Sequence, residues 1–133
     1  MEYHAAGAFD VKVTPQAADG HADGVTLGRM TLDKQFHGDL EASSKGQMLT
    51  GMGSVKGSAG YVAIEQVTGT LQGRGGTFIL QHTGVMDRGA PRLAIAVVPD
   101  SGTGQLEGLA GTMTIDTADG KHTYAFTYTV RPL

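Results

Sequence analysis

Hydrophobic and polar positions alternate along most of this chain. Phe9, Val11 and Val13 alternate with Asp10 and Lys12, and Pro15 ends the run. Met30, Leu32, Lys34 and Phe36 share one phase, while Thr31, Asp33 and Gln35 share the other. Residues 61–67 and 77–83 are rich in aromatic and β-branched side chains. Residues 92–98 are apolar in both phases and stop at Pro99. Residues 112–116 and 122–130 follow, the latter with Tyr124, Phe126 and Tyr128 in one phase. Side chains on a strand repeat every second residue, so these runs predict strands. No eleven-residue stretch carries helical spacing, and no capping box leads into one.

Turn signals separate the runs at short intervals: Ala18-Asp19-Gly20, His37-Gly38-Asp39, Asp87-Arg88-Gly89, Asp100-Ser101-Gly102 and Ala118-Asp119-Gly120. Gly and Asp supply the positive-φ and side-chain-capped positions of tight connections. About eight evenly spaced strands without crossover helices predict an all-β, antiparallel sheet with little or no helix. A sandwich or an up-and-down barrel would bury such a sheet. No linker or low-complexity tract divides the chain, so residues 1–133 are expected to form a single domain.

Composition narrows the chemistry. Gly accounts for 21 of the 133 residues, which argues against a helical fold, since Gly in a helix interior costs about 1 kcal/mol relative to Ala. The net charge is −3 and no two basic residues are adjacent, so the clustered Lys/Arg of a nucleic-acid binder is missing. The absence of Cys excludes disulfides, thiolate metal sites and thiol catalysis. The five His, at 4, 21, 37, 82 and 122, lack metal-ligand spacing, and no metal is expected. Gly102-Thr103-Gly104 and Gly73-Arg74-Gly75-Gly76 complete neither a dinucleotide loop nor a phosphate loop, so no cofactor is expected either. Met1-Glu2-Tyr3-His4 resembles no secretory leader. No run approaches the roughly 20 apolar residues of a membrane span, and cytoplasmic residence without membrane contact is the expectation.

Residues 68–78 repeat as residues 103–113. Both read T-G-x-L-x-G-x-x-G-T followed by a large apolar residue. Each copy is expected to form a hairpin, its Leu (Leu71 or Leu106) packed inward and the glycines making the reversal.

The same residues carry a family resemblance. Residues 61–71, 76–84 and 98–111, with Phe36-His37-Gly38-Asp39-Leu40-Glu41, resemble a bacterial family known only as domain of unknown function 3224. The resemblance runs from about Phe9 to Tyr128. It implies a small barrel similar to that of allene oxide cyclase. It implies no activity, because fold alone does not license one.

Glu65 and His82 are the candidate catalytic residues, with Gln81 beside them. If Leu71 stands opposite Gly76 in the hairpin, Glu65 falls opposite His82, and Tyr61, Ala63, Glu65, Val67, Phe78, Leu80 and His82 share a face. A one-residue slip puts Gln66 there instead and separates the pair. A carboxylate beside an imidazole on an apolar face can orient the ring and tune its basicity. A buried carboxylate needs a partner. The alternative is a satisfied structural pair.

The expected interior lining is Met30, Leu32, Phe36, Met48, Leu49, Phe78, Leu80, Met113, Ile115, Tyr124, Phe126 and Tyr128. Gln81, Tyr61, Phe78, Leu80, Met48, Met113, Tyr124 and Tyr128 are the candidate ligand-binding residues. An eight-stranded barrel is either filled by side chains or holds one small ligand, and Met accommodates varied shapes.

Three functions follow. The leading expectation is a protein that binds a small hydrophobic molecule in its interior. The second is a cofactor-independent cyclase, isomerase or proton-abstracting enzyme using Glu65 or His82. The third is a structural homo-oligomer with a filled barrel, because residues 93–98 are apolar on both sides and their outward members would need cover.

Overall fold

A computed structural model describes residues 1–16, 20–22 and 24–131, with only the backbone described at 20–22. The proposed turn at Ala18-Asp19-Gly20 falls largely outside these residues. The described residues form nine strands: β1 (Tyr3–Pro15), β2 (Gly20–Ala22), β3 (Val25–Phe36), β4 (Leu40–Met52), β5 (Ala59–Leu71), β6 (Arg74–Asp87), β7 (Ala90–Val97), β8 (Ala110–Ala118) and β9 (Lys121–Thr129). All neighbours pair antiparallel in the order β1-β9-β8-β7-β6-β5-β4-β3, and β1 pairs back onto β3. The sheet is therefore a closed barrel of eight antiparallel strands, as expected. The short β2 pairs with β3 beyond the stretch that β1 covers. Among the described residues the helical content is one 3₁₀ turn, Gly104–Leu106.

Two-residue turns make three of the hairpins. At Gln72-Gly73, Arg88-Gly89 and Asp119-Gly120 both residues have positive φ, the backbone whose twist matches the flanking strands. The β5–β6 hairpin pairs Leu71 with Arg74, Ala63 with His82 and Glu65 with Leu80. This register differs by two residues from the one that sets Glu65 directly opposite His82. A two-residue shift keeps every side chain on its face, so the two remain diagonal neighbours inside the barrel.

Two expectations change. The second repeat copy is not a hairpin. It is a connection from β7 to β8 built around the 3₁₀ turn, and the shared motif serves to bury a Leu. Leu106, with Leu109, packs into one end of the barrel as Leu71 does. The alternation also gave no sign of β4. Beyond Leu40 its inward positions Ala42, Ser44 and Gly46 are small or polar, so no apolar stripe marks the strand.

The barrel has two unlike halves. At the end holding the β3–β4 and β5–β6 turns, Phe36, Leu40, Val67, Leu71, Phe78, Leu80, Leu106, Phe126 and Tyr128 form a packed core. Tyr124 also packs there; its hydroxyl accepts from the Leu40 amide at 2.9 Å and donates to the His37 carbonyl at 2.8 Å. The Tyr128 hydroxyl donates to Gln72 Oε1. At the opposite end, β7 and β8 separate. Only Ile95–Met113 and Ala96–Thr112 pair across that join, and Ala90–Ala94 are all exposed. No helix among the described residues is long and apolar enough to cross a membrane.

Candidate functional site

Three layers stack along the barrel axis. The packed core fills the closed half. A cavity of about 410 Å³ occupies the other half, lined chiefly by Met30, Met48, Met52, Tyr61, Met86 and Leu93. Between them lies a layer of inward polar groups, one from each of four neighbouring strands: Lys34 (β3), Ser44 (β4), Glu65 (β5) and His82 (β6).

Glu65 is fully buried and is the hub of this layer. Its Oε2 accepts from Lys34 Nζ at 2.8 Å and from His82 Nε2 at 2.5 Å, and its Oε1 accepts from the Ser44 hydroxyl at 2.8 Å. Burial pushes the carboxyl group toward its neutral form. The His82 hydrogen bond, followed by the charge and hydrogen bond of Lys34, outweighs burial and holds the pKa at about 2. Lys34 Nζ also lies 5.2 Å from the Phe9 ring centroid and 5.8 Å from that of Phe36, so aromatic faces cradle the ammonium group.

An ionised carboxylate can only accept hydrogen bonds. His82 Nε2 therefore carries the proton, and in the neutral ring Nδ1 is left as an acceptor. No residue among those described bonds to Nδ1. Among the described residues no fully buried side-chain nitrogen or oxygen lacks a partner, so Nδ1 belongs to the 3% of His82 that remains accessible. His82 points into the barrel. The next inward position along β6 is Gly84, opposite Tyr61, and both line the cavity. The Tyr61 ring centroid is 6.5 Å from that of His82, and the ring lies so close over Gly84 that a Cβ there would stand 2.2 Å from Cε1. Burial, then the negative charge of Glu65, raises the Tyr61 hydroxyl pKa.

Of the residues read from sequence, the structure brings Glu65 and His82 into contact, and places Tyr61 and Met48 on the cavity wall. The remaining candidates lie elsewhere. Gln81 is exposed on the outer face, paired with Ile64 and Ala96. Phe78, Leu80, Met113, Tyr124 and Tyr128 belong to the packed half, away from the cavity. Leu49, expected inside, is exposed outside. Lys34 and Ser44 were not foreseen as partners of Glu65. Lys34 had a signal, because it sits in the apolar phase with Met30, Leu32 and Phe36, where a lone charge needs an opposite charge. Ser44 had none. No group of three His, Asp or Glu able to hold a metal occurs among the described residues.

The comparisons with known proteins agree with this architecture. A closed barrel of eight antiparallel strands defines the class of the protein. The chain belongs to the family described as protein of unknown function (DUF3224), whose model matches residues 5–128. Its structure is similar to the crystal structure of a DUF3224 protein of unknown function from Shewanella oneidensis MR-1. The two share 53% sequence identity with a TM-score of 0.94, over 99% of this chain and 100% of that one. No curated protein matches.

Proposed function

We propose that this protein binds a small, flexible, apolar molecule in the open half of the barrel. The observation that carries this reading is the open-mouthed cavity of about 410 Å³, walled by Met side chains and with Tyr61 at its inner end. Small-molecule sites commonly have such volumes and such apolar linings with few polar groups. Met side chains conform to guests of varied shape. A filled barrel fits less well, since side-chain packing stops at the polar layer.

N-phenyl-1-naphthylamine, which fluoresces in apolar surroundings, tests the reading. The protein should bind it at one site. Ala59→Trp, which places an indole in the mouth, should abolish binding with the far-ultraviolet circular dichroism unchanged. Equal binding by that variant would remove the cavity as the site.

A second reading, the allene oxide cyclase-like one, is favoured by the carboxylate–imidazole contact directly beneath the cavity. In it the barrel holds a reactive guest folded while His82 moves a proton, with Glu65 orienting the ring. Glu65 itself is a poor base, being fully ionised and saturated with donors.

Self-association is proposed through the outer face of β3–β5, where Leu27, Leu49, Val62 and Ile64 are exposed. Residues 93–98 no longer support it. Ile95 and Val97 are buried inside, Leu93 lines the cavity, and the remaining side chains are Ala94, Ala96 and the half-buried Val98.

A further inference from the structure

We infer that the guest carries a hydrogen-bond donor, a hydroxyl or enol, at the end that enters first, and that His82 Nδ1 receives it. The inference rests on the guest-binding reading and names the chemistry of the guest's inner end.

Three observations and one physical argument support it. The Glu65 carboxylate accepts from Nε2, so the neutral tautomer it selects carries its proton there and a lone pair on the other ring nitrogen. That nitrogen has no partner among the described residues, although only 3% of His82 is accessible. A guest that fills the cavity and displaces its water leaves that acceptor unpaired unless it brings a donor of its own. The ring sits one inward position below Gly84 and diagonal to Tyr61, the lining residues on β6 and β5 that face the closed half.

The Tyr61 hydroxyl likewise has no hydrogen bond among the described residues, and so is available to the same polar end. Glu65 is a positioning residue here. It cannot meet the guest, because its oxygens are taken by Lys34, Ser44 and His82. A carboxylate guest fits poorly, since it would bring two acceptors and a negative charge toward an acceptor nitrogen backed by Glu65. An alcohol, phenol or enol matches.

Two probes of nearly identical shape separate the possibilities: 2-naphthol, which donates, and 2-methylnaphthalene, which cannot. Both should bind, with 2-naphthol about tenfold tighter, the ratio expected of one hydrogen bond in a dry site. Nitrogen-15 NMR of the unmodified protein should show His82 Nδ1 as an unprotonated, pyridine-type nitrogen. Its resonance should move with 2-naphthol and stay in place with 2-methylnaphthalene. In His82→Phe the affinity ratio should fall to one.

The resonance is decisive, and it does not depend on the variant folding. A proton on Nδ1 in the free protein, or no movement at saturating 2-naphthol, would overturn the inference while leaving the cavity reading intact. A ratio that stays at ten in His82→Phe would also overturn it, by assigning the contact to Tyr61. If neither compound binds, the guest-binding reading fails and this inference fails with it.

Discussion

Glu65 ties stability to pH. Its folded pKa of about 2 lies below the ordinary 4.5, so the unfolded chain binds the proton more readily. The carboxylate therefore contributes stability above about pH 4.5, and the contribution is lost as pH falls toward 2. The shift corresponds to about 3 kcal/mol at neutral pH. Glu65→Gln should cost about 3–5 kcal/mol there, because it also leaves the Lys34 ammonium buried without its opposite charge. Urea denaturation of both proteins at pH 7 and pH 2.5 checks this. The gap between them should narrow sharply at the lower pH, and an unchanged gap would contradict the assignment. At this scale the sequence revealed part of the site. Glu65 and His82 stood out because charged groups interrupt apolar phases, and the cost of a buried carboxylate demanded a partner. Lys34 met that demand visibly in its own strand. Ser44 did not, because a serine among small residues carries no phase.

Strand register was harder to read than strand existence. The repeat motif marked the β5–β6 reversal, but its glycines suggested a wider loop than Gln72-Gly73. The resulting error was two residues, which preserves facing, so the candidate pair survived a wrong alignment. The second copy misled for a related reason: a short motif that buries a Leu and bends the chain does not determine whether a hairpin or a 3₁₀ connection follows. The turn itself offers a clean measurement. Gly73 has φ +85°, and nothing lies within 4 Å of where its Cβ would stand, so Gly73→Ala is penalised by backbone conformation alone. It should lower unfolding free energy by about 1 kcal/mol in urea, with the midpoint moved and the slope unchanged. A loss several times larger would mean that the turn packs against something else.

At the scale of the molecule, closure into a barrel was implied only by the family resemblance, while the all-β antiparallel architecture followed from even strand spacing and the lack of helical periods. The division into a packed and an open half did not, because alternation reports which side chains face inward and not whether they meet. The outer surface carries the remaining prediction. Val62 is 49% exposed and Ile64 48%, on a face with Leu27 and Leu49. Ile64→Lys should leave the melting temperature of the isolated chain nearly unchanged and shift the mass measured by light scattering from oligomer to monomer. A wild-type protein that is already monomeric at high concentration would exclude self-association through this face.

The separation of β7 from β8 has a consequence of its own. Ala90–Ala94 and the residues of β8 beyond Met113 have no ladder partner across the split among the described residues. Free strand edges are templates on which a strand from another chain can add, the first step toward amyloid-like stacking. The stretch is short, and Pro91 lies within it, contributing a backbone nitrogen that cannot donate. A barrel that keeps its mouth wide by leaving a seam unstitched thus places an aggregation guard at the same spot.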